Sequence, residues 1–217
     1  MLVLLPPSEG KAEPETGGPV DLDGLALAEA LTEHREAVLD AFDPSLREAP
    51  AAPAAEVYTG VLFKRLGLAL VPAKARRQVL IFSALWGVVR PDDRIPHYKL
   101  PPKTKLKGIG APAAYWRPAL TEALPDKAGE LIVDMRSGAY TSFWKPQRAT
   151  LLAVRAFTER DGERKAVSHM AKASRGDVAR ALLEAKKAPK DPEGAAAIAE
   201  AAGLTVELSD GYLDVIV

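Results

Sequence analysis

The sequence has no cysteine. That excludes disulfides, thiolate nucleophiles, iron–sulfur clusters and thiolate zinc sites, and it fits the cytoplasm as the expected location. Histidine is scarce as well. His34, His97 and His169 stand far apart, with no His-x3-His or Glu-x-x-His spacing, so no metal site and no cofactor are expected. Long apolar runs are also missing. The opening MLVLLPPSEGK has five mostly apolar residues and no basic segment before them, too short for a signal peptide or a membrane span. It reads as a first buried strand, and no membrane partner is expected. Three catalytic or nucleotide signatures are absent: the Gly-x4-Gly-Lys-Ser/Thr phosphate loop, the Gly-x-Gly-x-x-Gly dinucleotide fingerprint and the nucleophile elbow.

What is present is a core and an uneven charge. The chain has 217 residues, 47% of them apolar, enough for a sizeable core. The formal net charge of zero conceals three blocks. Glu9 to Glu48 holds eleven acids and three bases, Glu184 to Val217 seven and three, and Glu56 to Leu183 eleven acids and twenty-three bases. Such asymmetry fits either solvated faces that mix in space or a basic cleft walled by acidic surfaces.

Strand and helix patterns alternate along the chain. Buried strands are predicted at Leu2 to Leu5, Val79 to Leu85 and Leu131 to Met135. A strand pair is predicted at Leu151 to Phe157 and Lys165 to Met170, around Asp161-Gly162, and a closing hairpin at Leu204 to Leu208 and Tyr212 to Val217. Helices are predicted at Leu22 to Phe42, Glu56 to Leu70, Pro112 to Leu124, Ala171 to Lys187 and Pro192 to Ala202. Ala49 to Ala55 reads as a short Ala/Pro linker and Pro101 to Gly110 as a basic loop. The expected fold is mixed α/β: one domain over residues 1–217, with a central mixed sheet flanked by helices and a basic cleft.

Five segments concentrate groups able to carry chemistry. Pro6-Pro7-Ser8-Glu9-Gly10-Lys11 follows strand one, where open α/β sheets place ligand groups. Ser8 offers a hydroxyl and Lys11 a point charge for phosphate. Trp86 to Lys99 closes an apolar run and brings Arg90, His97, Tyr98 and Lys99 together. Arginine suits bidentate phosphate contact and tyrosine suits stacking. The alternatives are a core Trp86 and an Arg90 paired with Asp92 or Asp93. His97 to Lys107 carries four lysines and no acid, an inexpensive source of polyanion affinity. Within it, Leu106 to Gly110 with Ala114 resembles a helix-hairpin-helix turn, although Pro101-Pro102 argues against a preceding helix. Asp134 to Tyr140, with Lys145 beyond, follows another buried strand, and Asp134 and Arg136 can form a structural ion pair. His169 to Gly176 spans a strand end and a helix start, with Lys172 and Arg175 on one helical face.

Taken together and in this order, these segments resemble the YaaA family of peroxide stress resistance proteins. The resemblance is carried by LLPPSEGK, Val57-Tyr58-Thr59-Gly60, Leu85-Trp86-Gly87-Val88-Val89-Arg90-Pro91, Pro96-His97-Tyr98-Lys99, Tyr115-Trp116, Tyr140 with Lys145-Pro146, and Ala171-Lys172 with Arg175-Gly176. It spans nearly the whole chain. It implies a single α/β domain with a positively charged cleft, binding to DNA without sequence preference, and a cytoplasmic role in oxidative stress that limits free iron and iron-dependent damage. Better-known members open with Ser-Pro-Ala-Lys where this chain has Pro-Pro-Ser-Glu-Gly-Lys.

Two functions therefore remain in view. One is a DNA-binding stress protein using Ser8, Lys11, Arg90, Tyr98, Lys99, Tyr140, Lys145, Lys172 and Arg175 as anion contacts. The other is an enzyme acting on a small phosphorylated or nucleotide-like substrate in the same cleft, with Glu9, Asp134, His97, Tyr140 and Lys172 as unordered acid/base groups. A deep pocket with a shifted lysine favours the enzyme, and a long open groove favours DNA.

Overall fold

The segments LVLL, VLIFS and LIVD are buried along their whole length, the pattern of strands covered on both faces. In the computed structural model they lie side by side, parallel to one another, within one mixed sheet. The structure describes residues 1–160, 163–166 and 168–217. In chain order the elements are β1 (Leu2–Leu5), α1 (Ala28–Phe42), β2 (Ala51–Pro53), α2 (Ala54–Val57), α3 (Val61–Leu66), α4 (Ala73–Arg76), β3 (Val79–Ser83), β4 (Gly87–Val89), β5 (Arg94–Pro96), α5 (Pro112–Ala123), β6 (Leu131–Asp134), α6 (Gly138–Thr141), β7 (Thr150–Arg160), β8 (Glu163–Ala166), α7 (Ser168–Glu184), α8 (Pro192–Ala201), β9 (Thr205–Ser209) and β10 (Tyr212–Ile216).

The main sheet runs β4-β3-β1-β6-β7-β10-β9, with β8 paired to β7. The five strands from β3 to β10 are mutually parallel, and β4, β8 and β9 pair antiparallel. A separate antiparallel ribbon joins β2 to β5. The single α/β domain with a mixed, helix-flanked sheet is thus the fold expected. The chain leaves β1 for β3 on one side and later returns to place β6 on the other. That reversal opens a crevice at the carboxyl ends of β1 and β6, where open α/β sheets bind ligands. Among the described residues, no helix is long and apolar enough to cross a membrane.

Several predicted elements shift. Helix α1 starts at Ala28, six residues after Leu22, because Leu27 adopts a left-handed φ of 59° that no continuous helix tolerates. The expected Ala/Pro linker is structured: Ala51–Pro53 pairs with β5, and α2 follows at once. The helix predicted over Glu56 to Leu70 splits into α2, α3 and a 3-10 turn at Leu68–Leu70. The split falls at Tyr58-Thr59-Gly60, where Tyr58 bridges to Lys11 and the Thr59 N–H donates to Gly10 O. The predicted second strand of the β7 pair ends at Ala166, and α7 begins at Ser168, three residues before the expected start. The predicted Asp161-Gly162 turn lies outside the described residues.

The apolar stripe of α1 contains a charged residue that the periodicity hides. Arg35 is fully buried one turn after Leu31. Its Nε donates to Trp86 O at 3.2 Å, and its Nη2 donates to Ala26 O at 2.7 Å and Val88 O at 2.9 Å. Burial lowers its pKa to about 10 against the opposing charge of Asp93.

Candidate functional site

The crevice at the ends of β1 and β6 is a cavity of about 830 Å³. Its walls are the Pro6–Lys11 loop, the start of α3, the Tyr98–Pro102 stretch, the Ser137–Tyr140 turn, and Lys172 and Arg175 of α7. Seven of the nine predicted contact residues line it: Ser8, Lys11, Tyr98, Lys99, Tyr140, Lys172 and Arg175. Arg90 and Lys145 do not. The Arg90 guanidinium donates to Arg77 O and its N–H to Asp93 Oδ2, while Asp92 pairs with Arg76. Lys145 is exposed on the turn after α6. Trp86 is fully buried in the core, the alternative weighed from the sequence.

Pro6 and Pro7 end β1 because neither supplies a ladder N–H. The chain then turns so that Ser8 is buried, and its Oγ accepts the Gly60 N–H at 2.6 Å. A Cβ at position 60 would lie 2.3 Å from that Oγ, so any side chain there would displace the Ser8 hydroxyl from this hydrogen bond. The Ser8 hydroxyl thereby joins the loop to the start of α3. Lys11 bridges in antiparallel fashion to Tyr58, and Ala12 N–H donates to Val57 O at 2.8 Å. Its ammonium donates to Ser8 O at 2.6 Å and sits 4.4 Å from the Tyr98 ring centroid and 5.6 Å from that of Tyr58. Burial lowers its pKa to about 8, with the charge of Glu9 partly opposing the shift.

The stretch His97-Tyr98-Lys99-Leu100 alternates exposed and buried residues, which turns Tyr98 inward and leaves His97 and Lys99 outside. Tyr98 Oη is hydrogen bonded to Ser83 Oγ at 2.7 Å and to Tyr58 Oη at 2.8 Å. Ser83 Oγ already accepts the Leu85 and Trp86 N–H groups, each at 3.1 Å. Its proton therefore goes to Tyr98, and the Tyr98 proton to Tyr58. Burial pushes the Tyr98 phenol up to about 12 and that of Tyr58 well above its usual value. Ser83 and Phe63 were missed in the sequence. Ser83 carried a signal, as the one polar residue ending an apolar strand.

The turn after β6 is shaped by a buried ion pair. Arg136 N and Nε donate to Asp134 Oδ1, both at 2.9 Å, and Nη2 to Oδ2 at 2.8 Å. Its Nη1 donates to Tyr140 O at 3.3 Å, and its guanidinium lies 4.3 Å from the Phe82 ring centroid. The pair is structural, and it sets the turn that brings Tyr140 to the cavity. Burial raises the Tyr140 pKa.

On α7, Lys172 and Arg175 fall in the second turn, not the first, because the helix begins early. Lys172 Nζ lies 3.7 Å from Glu9 Oε1, both groups well exposed, a pairing of small energetic weight. Arg175 Nε donates to Val154 O at 3.1 Å, and burial lowers its pKa with the charge of Asp134 opposing. Gly176 explains the Arg175-Gly176 motif: a Cβ there would lie 2.5 Å from Leu62 O, so only glycine lets α7 rest on α3. Among the described residues, the ionisable lining thus has four cations, Lys11, Lys99, Lys172 and Arg175, and one carboxylate, Glu9.

Leu106 and Gly110 do exchange backbone hydrogen bonds around Gly108, and α5 follows. No helix precedes them, so the helix-hairpin-helix likeness ends at the turn. Among the described residues, no three histidine or acidic side chains cluster as a metal-binding group.

Fold and site together define a class: a single-domain α/β protein with a lysine- and arginine-lined pocket at the switch point of its sheet. The chain belongs to the family described as peroxide stress protein YaaA, whose model matches residues 19–207. It is 42% identical to a UPF0246 protein of Streptomyces coelicolor over 88% of this chain and 86% of that protein. It is also 37% identical to a UPF0246 protein of Corynebacterium efficiens over 97% of this chain and 96% of that one. A third relative, "Uncharacterized protein Cj0984" of Campylobacter jejuni, is 28% identical over 81% and 82%.

Proposed function

We propose that the protein acts in the cytoplasmic response to peroxide by binding DNA through this cleft, without sequence preference, and that it limits iron-dependent oxidative damage. The observation that carries the DNA reading is the convergence of Lys11, Lys99, Lys172 and Arg175 on one cavity, where Glu9 is the one carboxylate among the described residues. The peroxide role rests on the family description, and the effect on iron is indirect. Lys11 lies beside the Tyr98 ring and Phe63 and Tyr140 line the same cavity, a combination of cations and rings that suits a strand whose bases are unstacked. The test is fluorescence anisotropy with labelled single- and double-stranded DNA across salt concentrations. Affinity should fall linearly in log–log with salt, with a slope of magnitude up to about 3 on single strands and about 3.6 on duplex for four neutralised phosphates. Lys172→Ala and Arg175→Ala should each weaken binding, and Arg90→Ala, outside the cavity, should not. Absence of binding at low salt overturns the reading.

A second reading, an enzyme for a small phosphorylated or nucleotide-like substrate, is favoured by one pair of facts. The cavity of about 830 Å³ is on the scale of small-molecule pockets, and it holds a lysine whose pKa burial lowers to about 8. A thermal-shift screen of nucleotides and sugar phosphates tests it: a stabilising ligand whose effect is lost in Arg175→Ala supports this reading.

A further inference from the structure

We propose that Lys11 is an amine nucleophile that forms an imine with the carbonyl carbon of a phosphate-bearing aldehyde or ketone held in the cleft. The inference rests on the phosphate reading above in one respect: Lys172 and Arg175 hold the phosphate.

The placement of Lys11 argues for a reactive amine. Its backbone is pinned by the bridge to Tyr58, and its Nζ lies in the cavity wall over two aromatic faces. Its hydrogen bond goes to a neutral acceptor, Ser8 O. Among the described residues, no carboxylate lies within ion-pair distance of it. A lysine serving only to balance charge would face an acid. This one is partly desolvated, a setting that activates amine nucleophiles, and the charge of Glu9 opposes that only in part. With its pKa lowered to about 8, roughly a tenth of the side chain is free amine at pH 7, against fewer than about one in a thousand for an ordinary lysine. Tyr98 is itself fixed by Ser83 and Tyr58, so the floor under the amine is rigid.

The step balances without an oxidant or reductant. The Nζ lone pair forms a C–N bond to the carbonyl carbon, and the C=O π pair moves to oxygen. Both amine protons pass in turn from nitrogen to that oxygen, which leaves as water as the C=N bond forms. Two sources present this chemistry: a free aldehyde phosphate, and the ring-opened deoxyribose phosphate of an abasic nucleotide in DNA. The cavity volume of about 830 Å³ suits either one.

The test uses the full chain with glycolaldehyde phosphate, with glycolaldehyde, and with a duplex carrying one abasic site. Each is incubated with sodium cyanoborohydride, which reduces an imine to a stable amine, and adducts are located by peptide mass spectrometry. At least one phosphate-bearing probe should label Lys11 at least tenfold more than any other lysine, and glycolaldehyde should not. Yield should rise from pH 7 to pH 9, vanish in Lys11→Arg and persist in Lys187→Arg. Which probe succeeds identifies the source. Labelling spread evenly over the lysines, or none at Lys11, overturns the proposal, and this is read on the wild-type chain even if Lys11→Arg misfolds. Intact DNA binding without a Lys11 adduct sinks the imine alone. An adduct with glycolaldehyde phosphate and no DNA binding sinks the DNA reading alone.

Discussion

The ammonium nitrogen of Lys11 lies 4.4 Å from the centroid of the Tyr98 ring, and the same burial that brings them together lowers the pKa of Lys11 to about 8. The unfolded chain holds that proton up to its ordinary value of 10.5. Between the two values the unfolded state binds more protons, so folding stability rises with pH across that window. Below about pH 8 the folded state carries the full cost of a partly desolvated charge. Lys11→Met is therefore expected to raise the urea midpoint at pH 7, with a gain that shrinks towards pH 10. If the cleft binds DNA as proposed, the same variant should flatten the loss of affinity expected of the wild type as pH rises from 7 to 9. Equal midpoint gains at pH 7 and pH 10 would show that the amine is not desolvated.

Gly176 sets the distance between α7 and α3. A methyl group there meets Leu62 O at 2.5 Å and Arg65 Cβ at 2.7 Å, and a backbone oxygen cannot swing away. Gly176→Ala should destabilise the protein by ~1–3 kcal/mol through overpacking. Because Lys172 and Arg175 ride on the same helix, it should also weaken phosphate binding beyond what lost folding explains, read as anisotropy well below the melting temperature.

Much of this was legible in the sequence, for identifiable reasons. Leu2–Leu5, Val79–Ser83 and Leu131–Asp134 announce buried parallel strands by apolar runs broken only at their last residue, Ser83 in the second and Asp134 in the third, and the loops after the first and third carry Lys11 and Tyr140. Lys172 and Arg175 were picked out by helical spacing at a predicted helix start and by the family resemblance, and both line the cavity. Arg90 was misleading: a cation after a strand looks the same whether it faces a ligand or, as here, the Arg77 carbonyl. Arg35 was invisible, since its partners are the main-chain oxygens of Ala26, Trp86 and Val88, which no side-chain pattern encodes. The order of the strands, and hence the switch point, depends on long-range pairing that local periodicity does not record.

Gly87 opens β4 with φ 70° directly against Trp116, where a Cβ would lie 2.7 Å from the indole ring. The indole is itself held, its Nε1 donating to Ala84 O at 2.9 Å. Gly87→Ala combines left-handed backbone strain with a clash against a fixed ring, and should cost ~2–4 kcal/mol. Trp116→Phe, which removes the donor and shrinks the ring, should recover part of that loss in the double variant. Additive losses would show that backbone strain alone is responsible.

The final prediction concerns Asp134 and Arg136, which are nearly inaccessible to solvent. Removing the arginine side chain leaves the buried carboxylate without two of its three donations, and also releases the Tyr140 carbonyl. The backbone N–H of residue 136 survives any substitution, so one donation remains. Arg136→Leu should therefore destabilise by ~3–5 kcal/mol, the usual cost of breaking a buried pair on one side. Asp134→Asn with Arg136→Leu should regain a good part of it, because the orphaned charge is gone. Denaturant unfolding of the three variants measures the coupling. A single Arg136→Leu loss below about 1 kcal/mol would mean that water reaches the carboxylate and that the turn carrying Tyr140 is held by something other than this pair.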